Sequence, residues 1–226
     1  MFEPFRQSSR ILDIGFGAGG ILSAAEQRGW KCFGVEVNPA SLAYGKGRGW
    51  IVSANPQQDH RFPVHGFDVV TMFEVLEHLG SPDEVLHLAA QYLRPGGLLY
   101  LTTPNSRSLN RRLLHLDWSV FAPPEHLVLW TRRGIRLALS RTGFNCRMVR
   151  TEGLNPAEIV ARGRRRSLDT KLVSRNDAGL RLNESMTRSP LRRCLKTLIN
   201  RGLSLLGIGD TLKVIAIRKR SDVRHN

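Results

Sequence analysis

Short runs of apolar residues alternate with stretches of helical spacing over the first 150 residues. Seven runs rich in Val, Ile, Leu or Phe are bounded by Gly, Pro, Asn or Asp: residues 10–14, 32–37, 50–54, 67–73, 98–103, 144–150 and, much later, 211–217. Residues 20–28 and 83–93 have helical periodicity, and Arg94-Pro95-Gly96-Gly97 ends the second helix before the next strand. This alternation predicts an α/β fold with a doubly wound, mostly parallel sheet.

Residues 151–210 interrupt the alternation, and we interpret them as an insertion before the last strand. Their first half is polar and irregular, which predicts a loop. Between Leu191 and Leu206 the apolar residues share one helical face and the basic residues lie opposite, which predicts a basic amphipathic helix. We therefore predict a core over residues 1–150, a basic insertion over 151–210, and the last strand with a basic tail over 211–226.

The positive charge lies almost entirely in the second part of the chain. The protein has 34 Lys and Arg residues against 19 Asp and Glu residues, a net charge of +15. Residues 1–130 hold 11 basic and 12 acidic side chains, net −1, and residues 131–226 hold 23 basic and 7 acidic side chains, net +16. This division excludes a uniformly cationic, nucleic-acid-packaging protein.

The cysteine content and the apolar runs bear on where the protein resides. The three cysteines are far apart and lack CxxC spacing, so they form neither a disulfide framework nor a zinc site. No apolar run approaches the ~18 residues of a membrane span, and the first residues lack the layout of a signal peptide. We expect a cytoplasmic protein.

The first strand leads into a glycine-rich turn that opens a helix. Gly15, Gly17 and Gly20 fit the dinucleotide pattern GxGxxG, and Glu36, about 20 residues further on, is placed to bind ribose hydroxyls. The turn by itself does not select one cofactor. Asp13, however, ends the strand where nicotinamide-binding folds usually keep an apolar residue. A carboxylate at this position favours a cationic ligand.

The pattern D-x-G-x-G-x-G, formed by Asp13, Gly15, Gly17 and Gly19, resembles the first motif of the class I S-adenosylmethionine-dependent methyltransferases. The resemblance implies that these residues surround the amino-acid part of the cofactor and that Glu36 accepts bonds from both ribose hydroxyls. Residues 67–70 and 93–97 match two further family segments in order. The family resemblance also implies an antiparallel seventh strand beside the sixth. A nicotinamide-binding or structural α/β domain is the alternative.

Two parts of the sequence depart from that family. Many members carry an acid just after the third strand that bonds the adenine amino group, whereas here Asn55 or a backbone group must substitute. The chain starts nine residues before the first strand, so we expect the helix that usually covers the cofactor to be short or missing. Phe73 and Glu74, at the end of the fourth strand, are expected to face the cofactor.

Glu74, Glu77 and His78 follow the fourth strand, at the carboxyl end of the sheet where ligands bind. On a helical turn their spacing of three and four residues puts them on one face. Two carboxylates and an imidazole are suitable ligands for a hard divalent ion such as Mg²⁺. A later histidine, His126, offers a second imidazole that the fold can return to the same cleft.

The ordered set ExxEH, TPN and a later His resembles two methyltransferase branches: the O-methyltransferases of ubiquinone biosynthesis and the small-RNA 3′-end 2′-O-methyltransferases. The resemblance implies a divalent ion held by Glu74, Glu77, His78 and His126, which fixes and deprotonates a substrate hydroxyl. The stretch PPEHLVLW at residues 123–130 also resembles a broad methyltransferase group, many members of which sit in polysaccharide or natural-product gene sets. Without a metal, Glu77 and His78 cap a helix or line the cofactor pocket, and His126 is a general base or a buried structural histidine.

The leading hypothesis is therefore an S-adenosylmethionine-dependent enzyme that O-methylates a small-molecule, lipid-linked or glycan acceptor. An RNA 2′-O-methyltransferase and a non-catalytic binding protein on the same fold are the alternatives. The basic helix at 191–206 either contacts the inner membrane face peripherally, tracks RNA, or packs on the domain with a solvated basic surface. Phe144 is the only aromatic residue after Trp130, so nucleic acid is the weaker prediction.

Overall fold

A computed structural model describes residues 1–156, 158, 159, 198, 199 and 201–220. The chain divides into two compact units. The first contains Met1–Thr103, Arg133–Val149 and Lys213–Asn226, and the second contains Pro104–Arg132 and Arg150–Leu212. The second unit thus includes Pro104–Arg132, a segment that the sequence analysis assigned to the core.

Most residues of the predicted basic insertion, including the first half of its predicted amphipathic helix, lie outside the described residues. In the described part of that stretch, residues 198, 199 and 201–206 are helical. None of the helices within the described ranges is long and apolar enough to cross a membrane.

Seven strands form one sheet in the order β3-β2-β1-β4-β5-β7-β6. The strands are β1 Arg10–Ile14, β2 Lys31–Val35, β3 Ile51–Ser53, β4 Phe67–Phe73, β5 Leu93–Pro104, β6 Phe144–Glu152 and β7 Thr211–Arg218. The pairs β1–β2, β1–β4, β2–β3 and β4–β5 are parallel. Strand β7 lies antiparallel between β5 and β6. The predicted fold class and the antiparallel last strand are confirmed.

Besides the helical residues 198, 199 and 201–206 mentioned above, the described ranges contain five α-helices with both ends described: α1 Gly20–Glu26, α2 Pro39–Gly47, α3 Pro82–Tyr92, α4 Leu109–Leu114 and α5 Arg132–Arg141. The helices α1 and α3 were predicted from their periodicity. Helix α2 has weak periodicity but a strong start signal. The side chain of Asn38 caps it by accepting hydrogen bonds from the amides of Ala40 at 2.8 Å and Ser41 at 3.4 Å, and Pro39 occupies the first helical position.

The Pro-Gly-Gly segment lies within β5 and not before it. Helix α3 ends at Tyr92, as the segment predicts, but β5 begins at the next residue. The register shifts from Phe67 opposite Leu93 to Val69 opposite Leu98, so the chain bulges between these two pairs. Gly96 adopts φ +77° there, a conformation that favours glycine. The predicted break is therefore a bulge inside a longer strand.

A buried ion pair anchors the residues before β1 to the sheet. Asp68 of β4 is fully buried and accepts from Arg94 Nε at 2.7 Å. Its other carboxylate oxygen accepts from the amides of Gln7 at 2.9 Å and Ser8 at 2.8 Å. Burial alone would raise the pKa of Asp68, but these hydrogen bonds and the Arg94 charge outweigh it and hold the pKa below the ordinary value.

Candidate functional site

The turn after β1 is shaped by three glycines with positive φ. Gly15, Gly17 and Gly19 adopt φ +73°, +49° and +73°. A Cβ atom on Gly15 would lie 2.6 Å from Val75 Cγ2, and one on Gly19 would lie 2.6 Å from the Trp50 ring. Two of the glycines are therefore required by close packing as well as by their backbone conformation.

Gly17 differs from its two neighbours because its surroundings are open. A Cβ atom built on Gly17 would meet no atom within 4 Å. Its amide donates to Glu36 Oε2 at 2.9 Å. The backbone at Gly17 is thus bare on one side, which fits a ligand that lies against the main chain.

Glu36 follows β2 and lies beside the glycine turn. Its Oε1 accepts from the amides of Val37 at 2.8 Å and Asn38 at 3.1 Å, while Oε2 accepts from Gly17. Three backbone donors therefore hold the carboxylate at the carboxyl edge of the sheet, where the sequence analysis expected a ribose-binding acid.

Asp13 lies in β1, two residues before the turn, and only 3% of it is exposed. Thr71 Oγ1 of β4 donates to Asp13 Oδ1 at 2.7 Å. Burial raises the pKa of Asp13 to about 7, the Thr71 hydrogen bond opposes that rise, and the nearby Glu36 carboxylate adds to it. The Asp13 carboxyl group therefore changes charge near neutral pH, and a bound cation would favour its ionised form.

Thr71 was not among the residues predicted from the sequence. It is the one hydroxyl residue in β4, which is otherwise apolar apart from Asp68 at its start. A buried polar residue inside an apolar strand is a signal that a partner lies opposite.

Two further predicted cofactor-binding residues, Phe73 and Asn55, lie at the carboxyl ends of β4 and β3. Phe73 is the last residue of β4. The centroid of its ring lies 5.3 Å from the centroid of the Tyr100 ring, in an edge-to-face arrangement. Asn55 is exposed after β3, and its amide donates to Ser53 Oγ at 3.1 Å. The first acid after β3 is Asp59. Hydrogen bonds from Arg61 are the main cause that lowers its pKa from the ordinary value of 3.8 to about 2.

Glu74 does not share a helical turn with Glu77 and His78, so that prediction is wrong. Glu74 has φ +52°, and the short 3₁₀ helix begins at Leu76. Thr102 Oγ1 donates to Glu74 at 2.7 Å, whereas Thr103 Oγ1 donates to Glu77 at 2.8 Å. Successive strand residues point to opposite faces, so these two hydroxyls hold the two carboxylates apart. The metal-ligand role of Glu74 stays a prediction from sequence.

Glu77 and His78 remain together in the first unit. Their ligand atoms, a carboxylate oxygen and an imidazole nitrogen, lie within 4.8 Å of each other. Glu77 is 1% exposed and is oriented by Thr103. A buried carboxylate beside an imidazole is a donor set that suits a divalent ion or a proton transfer.

His126 lies in the second unit, after the cis peptide bond between Pro123 and Pro124. Its Nδ1 lies 2.6 Å from the carbonyl oxygen of Val120. Because a carbonyl oxygen only accepts, Nδ1 carries the hydrogen, and in the neutral ring Nε2 is the basic atom. The catalytic and metal-ligand roles assigned to His126 stay predictions from sequence.

A family model described as a methyltransferase domain matches residues 1–149. The chain belongs to this methyltransferase domain family. Its sheet order and its solved structural neighbours identify the fold as that of the class I S-adenosylmethionine-dependent methyltransferases.

The curated relatives of this methyltransferase domain include ubiquinone biosynthesis O-methyltransferases. Those of Azoarcus sp. and Alkalilimnicola ehrlichii are 31% identical over 105 residues and 26% identical over 161 residues. These matches cover 42% and 61% of this chain and 44% and 64% of the relatives. The chain thus spans about half the length of the curated relatives it matches.

Solved methyltransferases have the same fold at low sequence identity. An S-adenosylmethionine-dependent methyltransferase from Archaeoglobus fulgidus aligns with a TM-score of 0.60 and 18% identity, covering 92% of this chain and 86% of its own. One from Mesorhizobium loti aligns with a TM-score of 0.58 and 18% identity, covering 96% and 95%. At such identities the likeness establishes the fold alone.

Proposed function

We propose that this methyltransferase domain transfers the methyl group of S-adenosylmethionine to a hydroxyl oxygen of a small-molecule, lipid-linked or glycan acceptor. The observation that carries the proposal is the arrangement around the glycine turn. A buried carboxyl at Asp13 lies before an open backbone at Gly17, which is bonded to the carboxylate of Glu36. The oxygen acceptor is supported by the relatives named as ubiquinone biosynthesis O-methyltransferases.

The turn supplies complementary groups for each part of the cofactor. Asp13 offers a negative charge to the ammonium group, and the bare main chain at Gly17 accommodates the methionine part. Glu36 has two carboxylate oxygens for the ribose hydroxyls and would exchange its Gly17 hydrogen bond for them. Phe73 at the end of β4, Glu74 directly after it and Asn55 after β3 complete the proposed set. The cofactor itself supplies an electrophilic methyl on a positively charged sulfur.

Most of the catalysis would come from alignment. An in-line displacement requires the acceptor oxygen about 3 Å from the methyl carbon, and holding it there lowers the entropic part of the barrier. One proton must also leave the acceptor hydroxyl. Glu77, which Thr103 orients, and the adjacent His78 are the residues of the first unit that we propose to accept this proton.

A divalent ion is compatible with Glu77 and His78, because a carboxylate and an imidazole suit Mg²⁺ or a related metal. Such an ion would acidify the acceptor hydroxyl. Without an ion, His126 is the proposed general base, with Nε2 as the atom that takes the proton. Chelation separates these two routes, since only the first depends on a metal.

A lipid-linked acceptor would suit peripheral contact with an anionic membrane face through the amphipathic helix predicted from sequence at 191–206. In the described part of that helix, Leu198, Leu205 and Leu206 are 58%, 85% and 72% exposed. Exposed leucines beside basic residues are typical of helices that lie in a membrane interface. Flotation with phosphatidylglycerol vesicles, compared with phosphatidylcholine vesicles, tests this part of the proposal.

Two measurements test the proposed function. Calorimetry with S-adenosylmethionine on folded protein should show binding that Asp13→Asn weakens. A labelled methyl donor incubated with quinol, glycan and RNA fractions should then label one fraction through an alkali-stable ether bond. Labelling of RNA alone would replace the proposed acceptor class, and cofactor binding without labelling of any fraction would favour a non-catalytic binding protein.

A further inference from the structure

A groove of about 890 Å³ lies in the first unit, and we name it the Ile217 groove. It is lined by residues of β5, β6 and β7, by the two residues that follow β7, and by Phe5 near the start of the chain. Gly96, near the start of β5, and Arg218, at the end of the antiparallel β7, place it at the amino edge of the parallel strands. The glycine turn and Glu36 lie at the carboxyl edge, so the groove is separate from the proposed cofactor site.

Part of the groove lining is apolar and comes from β7. Val214 and Ala216 are fully buried, whereas Ile215 and Ile217 are only partly buried. Successive strand residues point to opposite faces, so both isoleucines lie on the same face of the sheet. Phe5, which is also partly buried, lines the groove with them. The groove thus offers an apolar surface that the described residues leave partly open to solvent.

The groove also carries an unbalanced positive charge. Among the described residues, four basic side chains and no acidic one line it: Arg147, Arg218, Lys219 and Arg220. None of the four forms an ion pair within the described part of the chain. Arg147 and Arg220 are exposed, and Arg220 Nε lies 3.8 Å from the position of a Cβ atom built on Gly96. This charge attracts anions to the groove.

Arg218 shows the same imbalance at a partly buried position. Its guanidinium donates to the carbonyl oxygen of Leu93 and to Nδ1 of His65, which are both neutral acceptors. Burial lowers the pKa of Arg218, and no carboxylate among the described residues forms an ion pair with it to offset that effect. A bound anion would supply the missing negative charge.

The composition of the lining favours one class of ligand. The volume is within the range of roughly 300–1,000 Å³ that is typical of small-molecule sites. Arginine guanidinium groups bind phosphate through paired hydrogen bonds, and an isoleucine surface gains free energy when it covers an alkyl or isoprenoid chain. Nucleic-acid bases would need aromatic side chains to stack on, and Phe5 is the one aromatic residue among the described residues that line the groove.

We propose that the Ile217 groove binds a monomeric amphiphilic anion, an apolar chain that ends in a phosphate group. The chain lies against Phe5, Ile215 and Ile217. The phosphate binds Arg147 and Arg220, and Arg218 adds its positive charge. This is a second binding site of the domain, and it does not rest on the proposed methyl transfer.

Calorimetry on the full chain with dodecyl phosphate, kept below its critical micelle concentration, tests this proposal. We expect one molecule to bind per chain. Dodecyl maltoside has the same chain without the charge, and hexyl phosphate has the same charge on a shorter chain. Each should bind at least about tenfold more weakly. Arg147→Gln and Arg220→Gln, at exposed positions where folding should not be disturbed, should each weaken dodecyl phosphate binding by about tenfold.

Arg133→Gln is the matched control, because Arg133 is an exposed arginine of α5 that does not line the groove. Its affinity for dodecyl phosphate should stay within about twofold of wild type. Equal affinity of wild type, Arg147→Gln and Arg220→Gln, or binding of dodecyl maltoside as tight as that of dodecyl phosphate, would overturn the proposal. Binding to phosphatidylglycerol vesicles alone would assign these arginines to a membrane surface, and binding to oligouridine alone would assign them to nucleic acid. Either result also overturns it.

Discussion

Thr71 donates its hydroxyl to the buried carboxyl of Asp13 across the pair β1–β4, where the two residues are direct partners in the parallel register. Burial raises the pKa of Asp13 to about 7, and this hydrogen bond opposes the rise. Asp13 is thus a carboxyl whose charge changes near neutral pH, at the position where the cofactor's ammonium group is proposed to bind. Several properties of the protein should depend on this pair.

Affinity for S-adenosylmethionine should rise with pH through about 7, because the ionised Asp13 attracts the ammonium group and the neutral acid does not. Thr71→Val removes the hydrogen bond that favours the charged form, so the midpoint of this rise should move to higher pH. Calorimetric titrations across a pH series measure it. If Thr71→Val lowered affinity equally at every pH, with the midpoint unchanged, Thr71 would act through packing only.

Asp13→Asn should stabilise the cofactor-free protein at high pH while weakening cofactor binding. The folded-state pKa of Asp13, about 7, lies above its ordinary value of 3.8, so the folded state holds more protons between these values and stability falls as pH rises through this window. Above pH 7 the cost is on the order of 4 kcal/mol at most. The neutral amide avoids it.

Thermal unfolding at several pH values tests the Asp13→Asn prediction. The variant should unfold at a higher temperature than wild type at pH 8, and the difference should vanish as the pH approaches 4. Asp83→Asn, an exposed acid, serves as the control and should change neither curve appreciably. A variant that is less stable than wild type at pH 8 would contradict the assignment of a burial cost to Asp13.

Gly17→Ala should fold but lose the cofactor. A Cβ atom there meets no protein atom, so the expected cost is about 1 kcal/mol for the left-handed backbone, while the methyl group enters the space proposed for the ligand. Gly15→Ala should instead destabilise by about 2–4 kcal/mol, because its Cβ atom also meets Val75.

Gly20→Ala is the matched control for both glycine substitutions. Gly20 has no positive φ, and a Cβ atom there also meets nothing within 4 Å. The variant should retain wild-type stability and cofactor affinity. Denaturant unfolding and calorimetry on the three variants separate backbone strain, packing and ligand exclusion. If Gly17→Ala bound the cofactor as tightly as Gly20→Ala did, the ligand would not lie against Gly17.

The sequence predicted the sheet well because its strands are short apolar runs bounded by turn residues. The strands β1 and β4 match their predicted bounds at both ends. The bulge in β5 was not predicted, because Pro-Gly-Gly is typical of a loop and only pairing with β4 makes it part of a strand. The sequence therefore missed the start of β5, because the apolar pattern does not show which residues of β5 pair with β4.

The sequence pointed to individual residues of the candidate site, but it did not predict the hydrogen bonds among them. Asp13, Gly17 and Glu36 were recognised from motif spacing, whereas Thr71 became visible only when the register placed it opposite Asp13. The spacing of Glu74 and Glu77 indicated one helical face, yet the left-handed backbone at Glu74 removed it from the turn. Local spacing predicts a shared face only if every residue between is helical.

Asp68→Asn should lower the stability of the protein by about 3 kcal/mol, because it breaks a buried ion pair and leaves Arg94 without its partner. Since the folded-state pKa of Asp68 lies below its ordinary value, its stabilising contribution is present above pH 3.8 and is lost as the pH falls through that lower pKa. In that pH range the free energy of unfolding of the wild type should fall as the pH is lowered, and that of the variant should fall less. An unchanged denaturant midpoint in the variant would contradict this role.

Glu77→Gln should leave cofactor affinity within about twofold of wild type but lower methyl transfer by about 100-fold or more, because Glu77 is proposed to act on the acceptor side. Thr103→Val, which keeps the carboxylate but removes the hydrogen bond that orients it, should cause a smaller loss, about tenfold. On the metal route chelator should abolish wild-type activity and added Mg²⁺ should restore it, whereas on the His126 route chelator should have no effect. If the wild-type protein stayed active in chelator and Glu77→Gln were as active as wild type, neither a metal nor Glu77 would take part, and the proton would be assigned to His126.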